Sequence, residues 1–356
     1  MDSKHIATLA SVLAGLALVH GAAQAAVSVS VTPERQTLGK SDDVVVLVTM
    51  TNTGNSTEYL LKWQTPFGAV DAPLFEVTRD GLPVRYQGRQ VKRAAPTPAD
   101  YIALKPGASR SARVELSALY AMSVTGAYSI RYRNGVQLFS RPGVMRAGGP
   151  TTAALAAPAA QAAAVWIDGR LPRGQLDGDV PFESGAGLSY SRCTNAQQET
   201  IAQAAQAAQA MAGNGDAYMR AQALAVRYTG WFGALEAGRA AAVARNFGAI
   251  REAFATKPVT VDCGCNEAYF AYVYPHQPYK IYVCRAFWSA PMTGTDSKGG
   301  TLVHEMSHFN VVAGTDDWAY GHSAASTLAG SDPARAVDNA DSHEYFGENT
   351  PHQDLR

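Results

Sequence analysis

Across residues 301–310 the run His304-Glu305-Met306-Ser307-His308 sets two imidazoles four positions apart, with a carboxylate next to the first. Apolar residues recur at helical spacing through Leu302, Val303, Met306, Phe309, Val311 and Val312, and Gly314 offers a stop, so the pattern predicts a helix over 300–313. Positions i and i+4 share a helix face, so His304 and His308 can reach one zinc ion with Glu305 beside its open position. The chemistry implied is metal-assisted hydrolysis, in which bound water has its pKa lowered to about 7 and a glutamate accepts its proton.

A hydrolytic zinc takes three protein ligands and keeps a fourth position for water. A metzincin would carry glycine at 311 and histidine at 314, where this chain has Val311 and Gly314, so that class is excluded. A thermolysin-like arrangement would draw its third ligand from Glu344 or Glu348. Between these candidates and the first helix stands Gly314-Thr315-Asp316-Asp317-Trp318-Ala319-Tyr320-Gly321. This G-T-x-D-x-x-Y-G segment, placed directly after H-E-x-x-H, resembles the signature of the aspzincin metallopeptidases, the group of deuterolysin and the peptidyl-Lys metalloendopeptidases. The resemblance implies one catalytic Zn2+ held by His304, His308 and Asp317, with Glu305 as the general base. It further implies Tyr320 as donor to the developing oxyanion, and it leaves Asp316 at a variable position.

The stretch Asn339-Ala340-Asp341-Ser342-His343-Glu344 resembles the part of the lysine-specific members that lines the pocket for the residue after the cut bond, with Asp341 and Glu344 at the matching positions. Residues three apart on a helical turn share a face, so both carboxylates can converge on one ammonium group. His343 is read as structural. A broad-specificity, deuterolysin-like protease is the alternative if the two acids do not form one pocket. The rival from another class is a secreted binding or toxin protein with a non-catalytic zinc site. Against it, a structural zinc usually closes with four protein ligands, and the set here is three.

Around this centre the chain divides into four parts. In residues 1–25 a single lysine precedes the apolar run 6–19, too short for a membrane span, and Ala23-Gln24-Ala25 supplies a small-x-small cleavage pattern, so a signal peptide and a secreted, extracellular product are expected. Residues 26–146 alternate with period two in places such as Val27 to Val31 and are punctuated by turn signals such as Arg79-Asp80-Gly81, which predicts an immunoglobulin-like β-sandwich. By the resemblance this part is a prodomain. Residues 147–180, alanine-rich with Gly, Pro and Thr at the start, are expected to be linker and processing region. Residues 181–356 would form a mainly α, zincin-like catalytic domain with a small β-hairpin or sheet. Its expected helices run from a cap at Asn195 to about Met211 and from about Ala217 to Tyr228. A hairpin from Tyr269–Tyr274 and Tyr279–Cys284 could give the edge strand on which a peptide pairs.

All four cysteines lie in this last part, and an even number in an exported chain favours disulfides. Three pairings are open on spacing; the resemblance implies Cys193 with Cys263 and Cys265 with Cys284. The chain is neutral overall, with 30 Lys and Arg against 30 Asp and Glu. Residues 26–174, however, hold 17 basic against 10 acidic side chains, and residues 175–356 hold 12 against 19. Opposite fields favour docking of the first half on the second, as for a prodomain that inhibits or assists folding. Lys92 is the candidate to fill the acidic pocket before processing. The expected partners are therefore protein or peptide substrates and the intramolecular prodomain. No basic aromatic patch calls for nucleic acid, and no segment beyond the signal calls for a membrane.

Overall fold

The computed structural model describes residues 27–133, 162–169, 187–221 and 224–353. The expected signal peptide, most of the expected linker and the start of the expected catalytic domain lie outside the described residues. Among those residues no helix is long and apolar enough to cross a membrane.

The N-terminal half is built from strands: β1 (Val27–Pro33), β2 (Thr37–Leu38), β3 (Val45–Asn52), β4 (Glu58–Leu61), β5 (Phe75–Arg79), β6 (Leu82–Pro83), β7 (Gln90–Lys92), β8 (Tyr101–Leu104), β9 (Ser109–Glu115), β10 (Gly126–Tyr132) and β11 (Ala163–Ile167). Strands β1, β3 and β9 form one antiparallel sheet, and β2-β11-β10-β5-β6 form another. Alternate residues of each strand point to opposite faces. The two sheets accordingly send Val46, Val48, Met50, Val77, Ile130 and Val165 into one shared core.

Strand β11 lies inside the stretch expected to be linker. Its alternation of buried Ala163, Val165 and Ile167 with more exposed Ala164 and Trp166 is the strand signal, hidden there by the alanine-rich composition before it. It pairs antiparallel with β10 and parallel with β2, so residues 163–167 belong to the N-terminal sheet.

The C-terminal half contains β12 (Gly187–Ser191), α1 (Asn195–Arg220), α2 (Val226–Phe232), α3 (Ala237–Thr256), β13 (Pro258–Asp262), β14 (Ala271–Val273) and β15 (Lys280–Val283). It continues with α4 (Arg285–Ser289), α5 (Lys298–His308), α6 (His322–Ser331), α7 (Pro333–Val337) and α8 (Ala340–Glu348). The chain thus combines mixed sheets with helices. Strands β12, β13 and β15 are parallel, β14 returns antiparallel to β15 as the hairpin predicts, and β7 of the N-terminal half adds a fifth strand to the edge of β14. Disulfides Cys193–Cys263 and Cys265–Cys284 fasten the segment before α1 to the end of β13 and the following loop to the end of β15.

Three element boundaries differ from expectation. Helix α1 runs unbroken to Arg220 and starts from Thr194, not Asn195, because the Thr194 hydroxyl accepts from Gln197 N and the Gln197 side chain returns the bond. The parallel strand β12 precedes α1, where no element was expected. Helix α5 stops at His308, five residues early, because Phe309 is extended (φ −60°, ψ 130°) and Asn310 N donates to Pro275 O instead of continuing the ladder.

Candidate active site

Helix α5 is buried along its whole length: Leu302, Val303 and Met306 pack into the hydrophobic core, and the rest of its circumference carries the buried polar side chains of His304, Glu305 and His308. Ser297 caps it by accepting from Gly300 N at 2.9 Å. Glu348, at the end of α8, accepts from Ser297 N and Oγ at 2.8 and 2.7 Å, placing a carboxylate at the positive end of α5. Burial, with Glu344 nearby, raises the Glu348 pKa to about 8. Gly300 is needed at this contact, since a Cβ there would lie 2.1 Å from Glu348 Oε1.

One turn apart on α5, His304 Nε2 and His308 Nε2 lie 3.1 Å from each other. Asp317 Oδ1 completes a triangle, 3.3 Å from His304 Nε2 and 3.5 Å from His308 Nε2. A tetrahedral zinc with bonds of about 2.0–2.1 Å holds neighbouring donor atoms about 3.3–3.4 Å apart, so these three atoms fit one ion. Asp317 Oδ1 and both Glu305 oxygens are buried without a hydrogen-bond partner, an arrangement that suits a metal and its water and would otherwise carry the cost of unpaired burial. His308 Nδ1 donates to Thr315 O at 2.7 Å, which leaves its Nε2 as the lone-pair nitrogen toward the triangle.

The turn that delivers Asp317 begins at Gly314 and ends at Gly321, with φ of 63° and 87°, in the left-handed region that favours glycine. Asn339 pins it: the side-chain oxygen accepts from Trp318 N and Ala319 N at 2.9 and 3.0 Å. This role of Asn339 is not legible in the sequence. Its place just before α8 gave no signal, because its partners are backbone groups on a distant loop. Tyr320 is buried, and burial followed by the Asp317 charge holds its pKa well above that of a free phenol.

Asp341 and Glu344 lie on one face of α8 and converge on a single ammonium, that of Lys92. Lys92 Nζ is 2.9 Å from Asp341 Oδ1, 2.6 Å from Glu344 Oε2 and 3.4 Å from Asp296 Oδ1. The lysine and both α8 acids are fully buried. Burial would lower the lysine's pKa, but the charges of Asp341 and Glu344 outweigh it and raise the value well above normal. The same carboxylates touch the other nitrogen of His304: Nδ1 lies 2.9 Å from Asp341 Oδ1 and 3.3 Å from Glu344 Oε2. Glu344 is thus on the far side of the His304 ring from the Nε2 triangle, and Glu348 caps α5, so neither completes the triangle in the thermolysin manner. His343 faces away into the aromatic cluster, between Phe247 and Phe232.

The chain is similar to several known proteins. The family described as lysine-specific metallo-endopeptidase, the aspzincins, matches residues 217–348. An extracellular protease of Aeromonas hydrophila is 49% identical over 319 residues, covering 88% of this chain and 90% of its own length. A peptidyl-Lys metalloendopeptidase of Armillaria mellea is 35% identical over 350 residues, covering 92% of this chain and 95% of its own. A solved zinc peptidase from Grifola frondosa is 46% identical, covers 45% of this chain and 99% of its own, and superposes with a TM-score of 0.44.

Proposed function

This chain belongs to the aspzincin family of zinc metalloendopeptidases, and from that premise we propose that it is an exported zymogen whose mature form cuts peptide bonds on the amino side of lysine. The observation that carries the specificity is the burial of Lys92 against Asp341 and Glu344, on the opposite side of His304 from the metal-ligand triangle. A pocket with two carboxylates that buries one ammonium suits lysine better than the wider guanidinium of arginine. The relatives named as peptidyl-Lys metalloendopeptidases support the same preference. Export is supported by the apolar run 6–19 with its small-residue cleavage pattern and by the relative named as an extracellular protease.

In this reading His304, His308 and Asp317 hold the zinc ion, which when bound supplies Lewis acidity for the attacking water and the peptide carbonyl. Glu305 accepts the proton that water loses as its oxygen bonds to the carbonyl carbon. The same carboxyl group then gives that proton to the nitrogen as the C–N bond breaks, releasing a carboxylate and an amine. Tyr320, kept protonated by burial and by Asp317, donates a hydrogen bond to the oxyanion. Asp341 and Glu344 bind the lysine ammonium and so position the bond on its amino side.

The N-terminal half is, in this proposal, a β-sandwich prodomain of immunoglobulin-like type that inhibits by laying β7 along β14 as a peptide would lie, with Lys92 in the specificity pocket. Mass-spectrometric mapping of cuts in a denatured protein mixture tests both parts, with Glu305→Ala and chelator-treated enzyme as controls. Cuts confined to the amino side of lysine and absent from both controls are expected. Cuts at mixed residues would instead indicate the broad-specificity alternative. For the zymogen, Lys92→Ala is expected to raise the activity of the uncut chain at least tenfold, because a paired buried cation is lost from the interface. Unchanged latency would remove Lys92 from the mechanism of inhibition.

A further inference from the structure

We propose that Asp316 selects the substrate side chain two positions before the lysine, favouring long hydrogen-bond donors such as arginine and glutamine. This rests on the reading of Lys92 as the occupant of the lysine pocket. The register of β7 on β14 pairs Lys92 with Ala271, Val91 with Tyr272 and Gln90 with Val273. Residues two apart on a strand share a face, so any peptide that lays its lysine in the same pocket along β14 turns the residue two before it toward Asp316. Gln90 does so here: its Nε2 donates to Asp316 Oδ1 at 2.9 Å.

The position of Asp316 does not depend on the N-terminal half. Its N–H donates to Asp338 O at 2.7 Å and its carbonyl accepts from Ala340 N at 3.0 Å, fixing the backbone on the α7–α8 junction. Both described partners of its carboxylate, by contrast, come from the N-terminal half: Gln90, and Arg133, whose Nη2 donates to Oδ2 at 2.6 Å. The Arg133 guanidinium also lies 3.6 Å from the centre of the Trp318 ring. Departure of the N-terminal half therefore leaves a fixed carboxylate beside an aromatic face. That pair suits a guanidinium better than an amide, and repels a carboxylate. Arg89, one residue further back, lies 5.4 Å over the Tyr272 ring, so the cleft extends in the same cation-binding sense.

The test measures kcat/KM for zinc-loaded, processed enzyme on peptides with lysine fixed after the cut bond and Arg, Gln, Ala or Glu two positions before it. We expect Arg and Gln to exceed Glu by roughly tenfold, through KM, as for one charge-assisted hydrogen bond at a half-buried site. Asp316→Asn should reduce the ratio to within about twofold, and Asp316→Lys should reverse it toward Glu, both keeping their zinc content and their cuts before lysine. A reversal is a readout that a merely structural residue would not give. Wild-type enzyme that cuts before lysine with no preference at the second position overturns this inference alone. Loss of zinc in both variants overturns it by making the residue structural, and absence of any lysine selection overturns the pocket reading beneath it.

Discussion

Glu305 is fully buried beside the ligand triangle, and burial raises its pKa well above the ordinary carboxylate range although His304 pulls the other way. In the proposed mechanism it carries a proton and is not one of the three metal ligands, so it can be neutralised without dismantling the triangle. Glu305→Gln is expected to lower kcat on the order of 10²- to 10⁴-fold with zinc content by metal analysis unchanged. A second residue-scale prediction concerns His343. Its Nδ1 donates to Asn339 O at 3.0 Å, its Nε2 accepts from Asn246 at 3.1 Å, and Phe247 stacks on the ring, all of which suit the neutral imidazole. Burial lowers its pKa to about 4. A group with its folded pKa below the unfolded value near 6.5 contributes stability that is complete above pH 6.5 and is lost as pH falls through 4. That loss amounts to about 3 kcal/mol. Denaturant titrations from pH 7 to 4 should show this slope, and in His343→Gln it should be shallower whatever that variant's stability at pH 7. At this scale the sequence was informative where side chains stand at a fixed helical spacing, as His304 and His308 do, and the family resemblance pointed on to Asp317. The sequence was silent where a side chain serves backbone groups far along the chain, as Asn339 and Glu348 do.

Elements succeed or fail as supports for those residues, and α5 depends on its first turn more than on its length. The Ser297 cap and the Glu348 carboxylate satisfy donors that a buried helix start would otherwise leave unpaired. Ser297→Ala should cost about 1 kcal/mol, read as a lower midpoint in thermal or urea unfolding. Gly300→Ala should cost more, about 1–3 kcal/mol, since its methyl group meets Glu348 Oε1 and the close neighbours of α5 leave little room. Were Gly300→Ala the milder change, Glu348 would have room to move and would not be holding the helix. The existence of α5 was readable because its apolar periodicity and its histidines agree. Its end was not, because His308 requires the chain to turn back for Thr315 O, a tertiary demand that local pattern does not express. Strand β11 is hidden in the sequence for a related reason: alanine is compatible with linker, helix or strand, and pairing with β10 decides among them.

Across the whole molecule, a basic N-terminal half meets an acidic C-terminal half, and the contacts between them are of two kinds. Lys92 is sealed in the α8 pocket, whereas Arg133 on Asp316 is only partly covered, with side-chain exposures of 16% and 24%. Packing adds to both, through Trp63 edge-on to Tyr320 and Ala95 against Gly321, where a Cβ would lie 2.6 Å from the Ala95 Cβ. Salt screens partly exposed charges strongly and buried pairs little, because mobile ions cannot approach the latter. Once the chain is cut in the 170–186 stretch, after β11, the two halves should therefore stay together at 0.1 M salt and loosen at 0.5 M, without separating fully. Arg133→Glu should weaken their association by roughly tenfold at low salt and flatten or reverse its salt dependence, since the repulsion it places beside Asp316 is itself screened. Lys92→Ala should weaken it more, and the salt dependence should remain, because the screened contacts are still present. The check is the dissociation constant of the nicked complex at both salt concentrations. If Lys92→Ala abolished the salt dependence and Arg133→Glu did not, the pocket would be the electrostatic anchor and the surface charge asymmetry incidental.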